Sequence, residues 1–219
     1  EAALADPAVG AVIVASATDT HADLVIQAAQ AGKAIFCEKP IDLSLARVDA
    51  ALAAVKAAGV AMMVGFNRRF DPSFTTLHAA IGAGRIGRIE QVIITSRDPG
   101  PPPLDYIRVS GGQLRDMTIH DFDMARWLLG EEPVEVFGYG AALVDPAIGA
   151  AGDTDSVMLL LKTAAGRMAH INNCRRATYG YDQRIEVFGS GGRLTSGNRL
   201  ESTVELANAD GQTAAKPMH

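Results

Sequence analysis

The 219-residue sequence contains few cysteines, few aromatic residues and no excess of basic charge. Its two cysteines, Cys37 and Cys174, have no CxxC or CxxxH spacing, so we expect reduced thiols and a cytoplasmic protein. The net charge of -5 provides no basic field for nucleic acid or for anionic lipid, and no apolar run reaches the length of a membrane span. These absences leave a globular protein, and the 48% of hydrophobic residues suffices for a large core.

Three apolar segments near the amino terminus alternate with two helical patterns. AVGAVIVAS, AIFCEKP and VAMMVGF are typical of parallel strands buried on both faces, and the helical patterns between them end at Gly32 and Gly59. This order predicts a right-handed α/β crossover fold, which binds ligands at the carboxyl ends of its strands. Those ends are residues 16–18, 38–40 and 67–69.

The pattern of the sequence changes after about residue 71. A helix over residues 71–84 and the strand-like RIEQVIITSRD precede a Pro/Gly-rich loop and a second helix. Alternating or β-branched segments such as SVMLLLKT, DQRIEVFGS and STVELANA follow. One helix against a largely antiparallel sheet predicts an α+β second domain. Because a single helix leaves the other face of the sheet open, we expect that face to form an oligomer interface.

A predicted helix over residues 111–130 carries the clearest chemical signal. Asp116, His120 and Asp123 follow each other at spacings of four and three, so a continuous helix would place them on one face. A carboxylate one turn before an imidazole can orient it and stabilise its charged form, as in a general base. The alternative is an ordinary solvated Asp/His pair.

Lys39 follows the second apolar strand, between Glu38 and Pro40. A lysine at the carboxyl end of a buried strand requires a partner, and there it can stabilise a developing alkoxide. The alternative is a surface lysine paired with Glu38. We expect Lys39 and His120 to face one cleft, because only then can both act on one hydroxyl.

Four segments together resemble one family of nicotinamide-dependent enzymes. VIVASATDTH, GKAIFCEKP, VGFNRRFDPSF and GGQLRDMTIHDFDMARWLLG are similar to the glucose-fructose oxidoreductase, inositol dehydrogenase and MocA family, and SRDPGPPP and ATYGYDQRIEVFGSGG look closest to its inositol 2-dehydrogenases. The resemblance implies a Rossmann domain followed by an open-faced, mostly antiparallel sheet domain that forms dimers or tetramers. It also implies oxidation of a polyol, myo-inositol to 2-keto-myo-inositol, with NAD, NADP being the alternative cofactor.

The resemblance assigns roles to individual residues. Three match catalytic positions of the family: Lys39, Asp116 and His120 as the general base. Positions that contact the polyol correspond to Arg68, Asp98, Asp123 and Tyr181. Positions that line the nicotinamide and its ribose correspond to Ser16, Thr18, Glu38 and Lys39. No metal ligand is implied.

No GxGxxG precedes the first apolar strand, so we expect the phosphate-binding turn of the family upstream of Glu1. The resemblance also implies a final helical segment after His219. Residues 1–67 are then the carboxyl-terminal part of a dinucleotide-binding domain, and residues 68–219 a substrate-binding and oligomerisation domain.

Three other hypotheses remain open. The same family also acts on other sugars and sugar derivatives, and some of its members are regulators that sense the cofactor without catalysis. A metal enzyme that uses Asp116, His120 and His21 is the third, although these residues lack convincing ligand spacing.

Overall fold

The computed structural model describes residues 2–200, 202–209 and 211–214. The chain forms two compact units. The first comprises Glu1–Asn67 and Val109–Ile119, and the second comprises Arg68–Arg108 and His120–His219.

Helices and strands alternate at first and strands dominate later. The helices are α1 (Ala2–Ala5), α2 (Thr18–Gln30), α3 (Leu45–Ala58), α4 (Pro72–Gly82), α5 (Leu104–Ser110), α6 (Gly112–Asp116), α7 (Ile119–Leu129) and α8 (Pro146–Ala150), with a 3-10 helix at Asn67–Phe70. The strands are β1 (Ala11–Val14), β2 (Ala34–Cys37), β3 (Met62–Val64), β4 (Ile89–Arg97), β5 (Pro133–Ala141), β6 (Ser156–Thr163), β7 (Met168–Cys174), β8 (Asp182–Gly189), β9 (Gly192–Ser196), β10 (Glu205–Asn208) and β11 (Gly211–Ala214).

The first unit contains a parallel sheet in the order β1-β2-β3, as the crossover pattern predicts. Its core joins Val14 and Cys37 of the strands to Val25 of α2 and Val55 of α3. The prediction that the strands are buried on both faces is wrong for the described chain, because Ile13 on the opposite face is 77% exposed. Strand side chains alternate between faces, and the hydrophobic cluster involves only one of the two.

The second unit contains a mixed sheet in the order β5-β6-β7-β4-β8-β9. Every neighbouring pair is antiparallel except β4 and β7, so the predicted mostly antiparallel sheet is confirmed. Two helices rather than one contribute to its core, because Phe74 and Leu77 of α4 join Met124 and Leu128 of α7 in the same cluster. The sequence predicts both helices, whereas the domain prediction counted only one of them against the sheet.

The other face of this sheet is open. Phe137 and Tyr139 of β5 are exposed and lie in register with Leu160 and Met158 of β6, which are also exposed. The two aromatic rings meet edge to face with their centroids 5.3 Å apart. We call these four residues the outer apolar patch.

Among the residues that the structure describes, no helix combines the length and apolar character that a bilayer crossing requires.

Candidate functional site

Lys39 emerges at the carboxyl end of β2 and reaches the end of α6. Its Nζ donates to the backbone carbonyl of Asp116 at 2.7 Å and to Oδ1 of the same residue at 3.1 Å. Both side chains are largely buried, with 16% of Lys39 and 13% of Asp116 exposed. Asp116 therefore holds the ammonium group in a defined place, so the surface pairing of Lys39 with Glu38 is not what the structure contains.

His21 lies close to this end of β2. Its ring nitrogens lie 2.8 Å from the carbonyl oxygen of Pro40 and 3.0 Å from that of Ser16, and the residue is 2% exposed. The ring thereby joins the loops that follow β1 and β2. Across the described residues, no group of three or more His, Cys, Asp or Glu side chains is arranged to hold a metal ion.

The remaining cofactor candidates lie at the same edge of the parallel sheet. Ser16 is exposed and its hydroxyl lies 2.6 Å from that of Thr20, while Thr18 begins α2. The Glu38 amide donates to the Val14 carbonyl at 2.8 Å, which brings the ends of β1 and β2 together. This edge offers hydroxyl, carboxylate and ammonium groups, a set that suits the ribose and carboxamide of a dinucleotide.

Gly65 matters at this edge because the Glu38 carboxylate lies close to its backbone. A Cβ added at Gly65 would lie 3.1 Å from both carboxylate oxygens, so a larger residue would displace the Glu38 side chain.

The predicted continuous helix over residues 111–130 is wrong. The chain forms α6 and α7 with a break at Met117 and Thr118, whose amides both donate to the carbonyl of Gln113, at 3.0 and 2.9 Å. Thr118 is fully buried at the break, so packing there competes with helix continuation. The argument from a shared helical face therefore does not apply to Asp116 and His120. Asp116 belongs to the first unit, whereas the half-buried His120 lies in the first turn of α7 in the second.

Arg68 is the centre of a buried polar network in the second unit. Its Nη1 donates to Oδ1 of Asp121 and its Nη2 donates to the Ser96 hydroxyl at 3.0 Å. The amide of Asn173 donates to Oδ2 of the same aspartate at 2.8 Å, and the amide of Gln183 donates to Ser96 Oγ at 2.5 Å. Burial raises the pKa of Asp121, while the Arg68 guanidinium and the Asn173 amide oppose that rise.

Tyr181 is hydrogen-bonded to Arg68 in the same unit, and Asp98 lies close enough to affect the charge of Tyr181. The Asp98 amide donates to the Cys174 carbonyl at 3.0 Å, and its carbonyl accepts from the Ala177 amide at 2.7 Å. Burial raises the pKa of Tyr181, and the Asp98 charge adds to that rise, whereas the hydrogen-bonded Arg68 guanidinium lowers it. The structure thus brings three of the four predicted polyol contacts together.

Asp123 has a different environment. Its two carboxylate oxygens accept from Nε and Nη2 of Arg69 at 2.8 and 2.7 Å, and its side chain is 5% exposed. The guanidinium carbon of Arg69 lies 5.6 Å from the ring centroid of Trp127, on which the ring of His78 stacks at 3.9 Å. The fourth candidate is therefore held by an arginine that the sequence reasoning did not single out.

The sequence reasoning also missed Asp121, Ser96, Asn173 and Gln183. Two signals could have revealed the first two. Asp121 begins the i, i+3, i+4, i+7 pattern that Met124, Ala125 and Leu128 continue, so it is a carboxylate at a core position of α7. Ser96 likewise interrupts the alternating apolar face of β4.

Two family models match the chain. Residues 74–195 match a model described as the GFO/IDH/MocA C-terminal domain, and residues 1–66 match one described as an oxidoreductase family with an NAD-binding Rossmann fold.

Individual proteins are similar over nearly the whole chain. It is 59% identical over 211 residues to inositol 2-dehydrogenase of Rhizobium meliloti (strain 1021), a match that covers 96% of this chain and 64% of that relative. The crystal structure of a myo-inositol dehydrogenase from Corynebacterium glutamicum matches with a TM-score of 0.90 and 43% identity, over 95% of this chain and 62% of that one. A scyllo-inositol dehydrogenase from Lactobacillus casei, with bound NAD(H) and scyllo-inositol, matches with a TM-score of 0.86 and 27% identity, over 98% and 64%. The chain thus spans about two thirds of the length of these proteins.

Proposed function

Because this chain belongs to the GFO/IDH/MocA oxidoreductase family, we propose that the whole protein oxidises a secondary hydroxyl of a polyol with NAD, converting myo-inositol to 2-keto-myo-inositol. The predicted family resemblance is confirmed. The substrate rests on relatives whose names describe inositol dehydrogenases, at 59% and 53% identity. The observation that carries the chemistry is the largely buried Lys39–Asp116 pair at the carboxyl end of β2.

Lys39 supplies the positive charge for the reacting oxygen. An ammonium group has three N–H donors, and Asp116 accepts from Nζ at two of its oxygens. A further donor is then directed to the substrate hydroxyl, where it stabilises the alkoxide that develops as the proton leaves. Asp116 acts by holding Lys39, and His120 takes the hydroxyl proton as general base. This assignment requires Lys39 and His120 to face one cleft, which stays a prediction because they belong to different units.

The polyol is recognised by Arg68, Asp98, Asp123 and Tyr181. Carboxylates accept hydrogen bonds from hydroxyl groups and a guanidinium donates to them, so this set can distinguish hydroxyls by position. Asp123 retains acceptor capacity although Arg69 already donates to both of its oxygens, because each carboxylate oxygen has two lone pairs.

NAD supplies the hydride acceptor when bound. Its nicotinamide and ribose are held by Ser16, Thr18, Glu38 and Lys39, which lie at the carboxyl edge of the parallel sheet, where this class of fold binds ligands. NADP remains the alternative. Residues 1–67 then form the carboxyl-terminal part of the dinucleotide-binding domain, and residues 68–219 bind the substrate.

The protein acts in the cytoplasm as a homo-oligomer, a dimer or tetramer. The support for the homo-oligomer is the outer apolar patch, because four large apolar side chains with more than half of their surface exposed favour burial against a second copy. Replacing Tyr139 with Lys is expected to lower the measured mass in light scattering at micromolar concentration. A parent protein that is already monomeric would contradict this part of the proposal.

Two alternative functions predict different results in an assay of NAD reduction with polyols. A different sugar as substrate would preserve the site, while a cofactor sensor would bind NAD without turnover. The Lys39–Asp116 pair favours the enzyme, because binding alone does not need a buried ammonium at the strand end.

The test uses the complete gene product and follows reduced nicotinamide by absorbance with myo-inositol and other polyols. His120→Ala is expected to lower kcat about a hundredfold to ten-thousandfold with the Kd for NAD nearly unchanged. Lys39→Met should lower kcat and weaken NAD binding. Asp116→Asn should give a smaller loss of kcat that is not additive with that of Lys39→Met, because Asp116 acts by holding Lys39.

Lys56→Met is the matched control, because Lys56 is exposed in the last turn of α3. It should behave as the parent. A parent protein that binds NAD but oxidises no inositol or sugar would contradict the enzyme and favour the sensor.

A further inference from the structure

The helix-covered face of the second sheet changes from apolar to polar within one row. Along β4 this face carries Val92, Ile94 and then Ser96, all at most 1% exposed. Asn173 of β7 and Gln183 of β8 lie in register with Ser96 on either side. Three polar side chains therefore form a row at the carboxyl end of a strand whose preceding rows are core.

Asp121 of α7 faces this row. It is fully buried on the same helical stripe as Met124 and Leu128, a place where a carboxylate is tolerated only with charged and hydrogen-bonding partners. Its partners are the guanidinium of Arg68, the amide of Asn173 and the hydroxyl of Ser96.

Stable packing of the core does not require this buried polar network. Well-packed apolar residues stabilise a core at least as well as a buried ion pair, so a buried pair by itself is weak evidence for a role in stability. The pair of Arg68 and Asp121 restricts the orientation of the Arg68 guanidinium. Its two terminal nitrogens donate to different elements, Asp121 in α7 and Ser96 in β4, and the side chain is only 12% exposed.

A guanidinium has five N–H donors in a rigid plane, so fixing two of them also fixes the direction of the others. One more contact joins Arg68 to Tyr181. A planar donor group held in this way suits two neighbouring hydroxyls of a polyol, because their spacing then determines whether both can accept.

We propose that Asp121 is a positioning residue, which together with Ser96 holds the Arg68 guanidinium in the orientation that selects a hydroxyl pair of the substrate. This inference rests on the proposed function and adds the means by which Arg68 discriminates among polyols. Asp121 touches Arg68 and not the reacting atoms.

Asp121→Asn in the complete gene product tests the inference, since it keeps the shape and one acceptor but removes the charge. We expect the KM for myo-inositol to rise about tenfold while kcat and the Kd for NAD stay near the parent values. Arg68→Ala should also raise KM. In the Arg68→Ala background, Asp121→Asn should raise KM no further, because its effect passes through the guanidinium.

Asp155→Asn is the matched control. Asp155 is another fully buried carboxylate of the second unit, but it accepts from the backbone amides of residues 143–145 instead of from an arginine. It should lower the thermal midpoint without changing KM. If Asp121→Asn does not fold, Ser96→Ala replaces it, with a smaller rise in KM that also disappears in the Arg68→Ala background.

The outcomes separate the two proposals. If the parent oxidises myo-inositol and Asp121→Asn leaves KM unchanged, or raises it equally with and without Arg68, the positioning role is overturned and the proposed function survives. If the parent oxidises no polyol, the proposed function fails and this inference fails with it.

Discussion

Asp182 offers the sharpest test of the electrostatics of the second unit. It is 1% exposed at the start of β8 and accepts hydrogen bonds from three side chains. Nε of Arg184 donates at 2.7 Å, the Tyr179 hydroxyl at 2.6 Å and Nδ2 of Asn198 at 2.7 Å. Burial disfavours the charged carboxylate, but these donors outweigh it and lower the pKa of Asp182 from 3.8 to about 2.

The contribution of Asp182 to the free energy of unfolding follows from the linkage between protonation and folding. A carboxyl whose pKa is lower in the folded state stabilises the fold above its unfolded pKa and loses that contribution as the pH falls through the folded value. The interval from 3.8 to about 2 corresponds to about 2 kcal/mol at neutral pH, about half of that near pH 3 and little below pH 2.

Asp182→Asn is therefore expected to lower the free energy of unfolding by about 2 kcal/mol at neutral pH, with the difference from the parent shrinking to about half near pH 3. Urea unfolding at several pH values and one fixed protein concentration measures this difference. Asp105→Asn is the control, since this carboxylate of α5 is 94% exposed and pairs only with Arg108 among the described residues. A difference that stays constant from neutral to acid pH would refute the reasoning, as would a carboxyl titration near 3.8 by NMR.

Three further predictions concern stability. Asp155→Ala should lower the free energy of unfolding by about 2 kcal/mol or more, because it leaves the amides of residues 143–145 without their carboxylate acceptor. Gly111→Ala should destabilise the loop before α6, since Gly111 has φ +85° and a Cβ there would lie 2.5 Å from Cδ2 of Leu43. Asp71→Ala should lower the free energy of unfolding by about 1 kcal/mol, because its carboxylate caps α4.

Urea unfolding at neutral pH checks all three. Gly100→Ala is the control for Gly111→Ala, because no atom lies within 4 Å of the added Cβ at Gly100. Equal stabilities of these two variants would contradict the steric argument. Asp71→Asn should retain most of the cap, so an equal loss in the Asn and Ala variants would contradict the capping role. A parent-like midpoint for Asp155→Ala would show that other groups replace its hydrogen bonds.

The periodicity of the sequence determined most of the secondary structure. Alternating apolar residues predicted β6 and β8, and Gly59 marked the end of α3, where it has φ +66°. The α/β crossover pattern and the following strand-rich half were also readable, because side-chain periodicity is a local property. The motif around residues 111–130 identified Asp116 and His120 as candidates, although their roles stay proposals.

Tertiary structure alone decided where those candidates lie and what they contact. Asp116 meets Lys39, 77 residues away in the chain, and Asp121 meets Arg68, 53 residues away. No local pattern contains such pairs. The break between α6 and α7 was also not predicted, because the apolar spacing of residues 111–130 fits one helix and only the fold shows Thr118 buried at the break. Spacing along a helix or strand is determined by nearby residues, whereas partners across the fold depend on how whole elements pack.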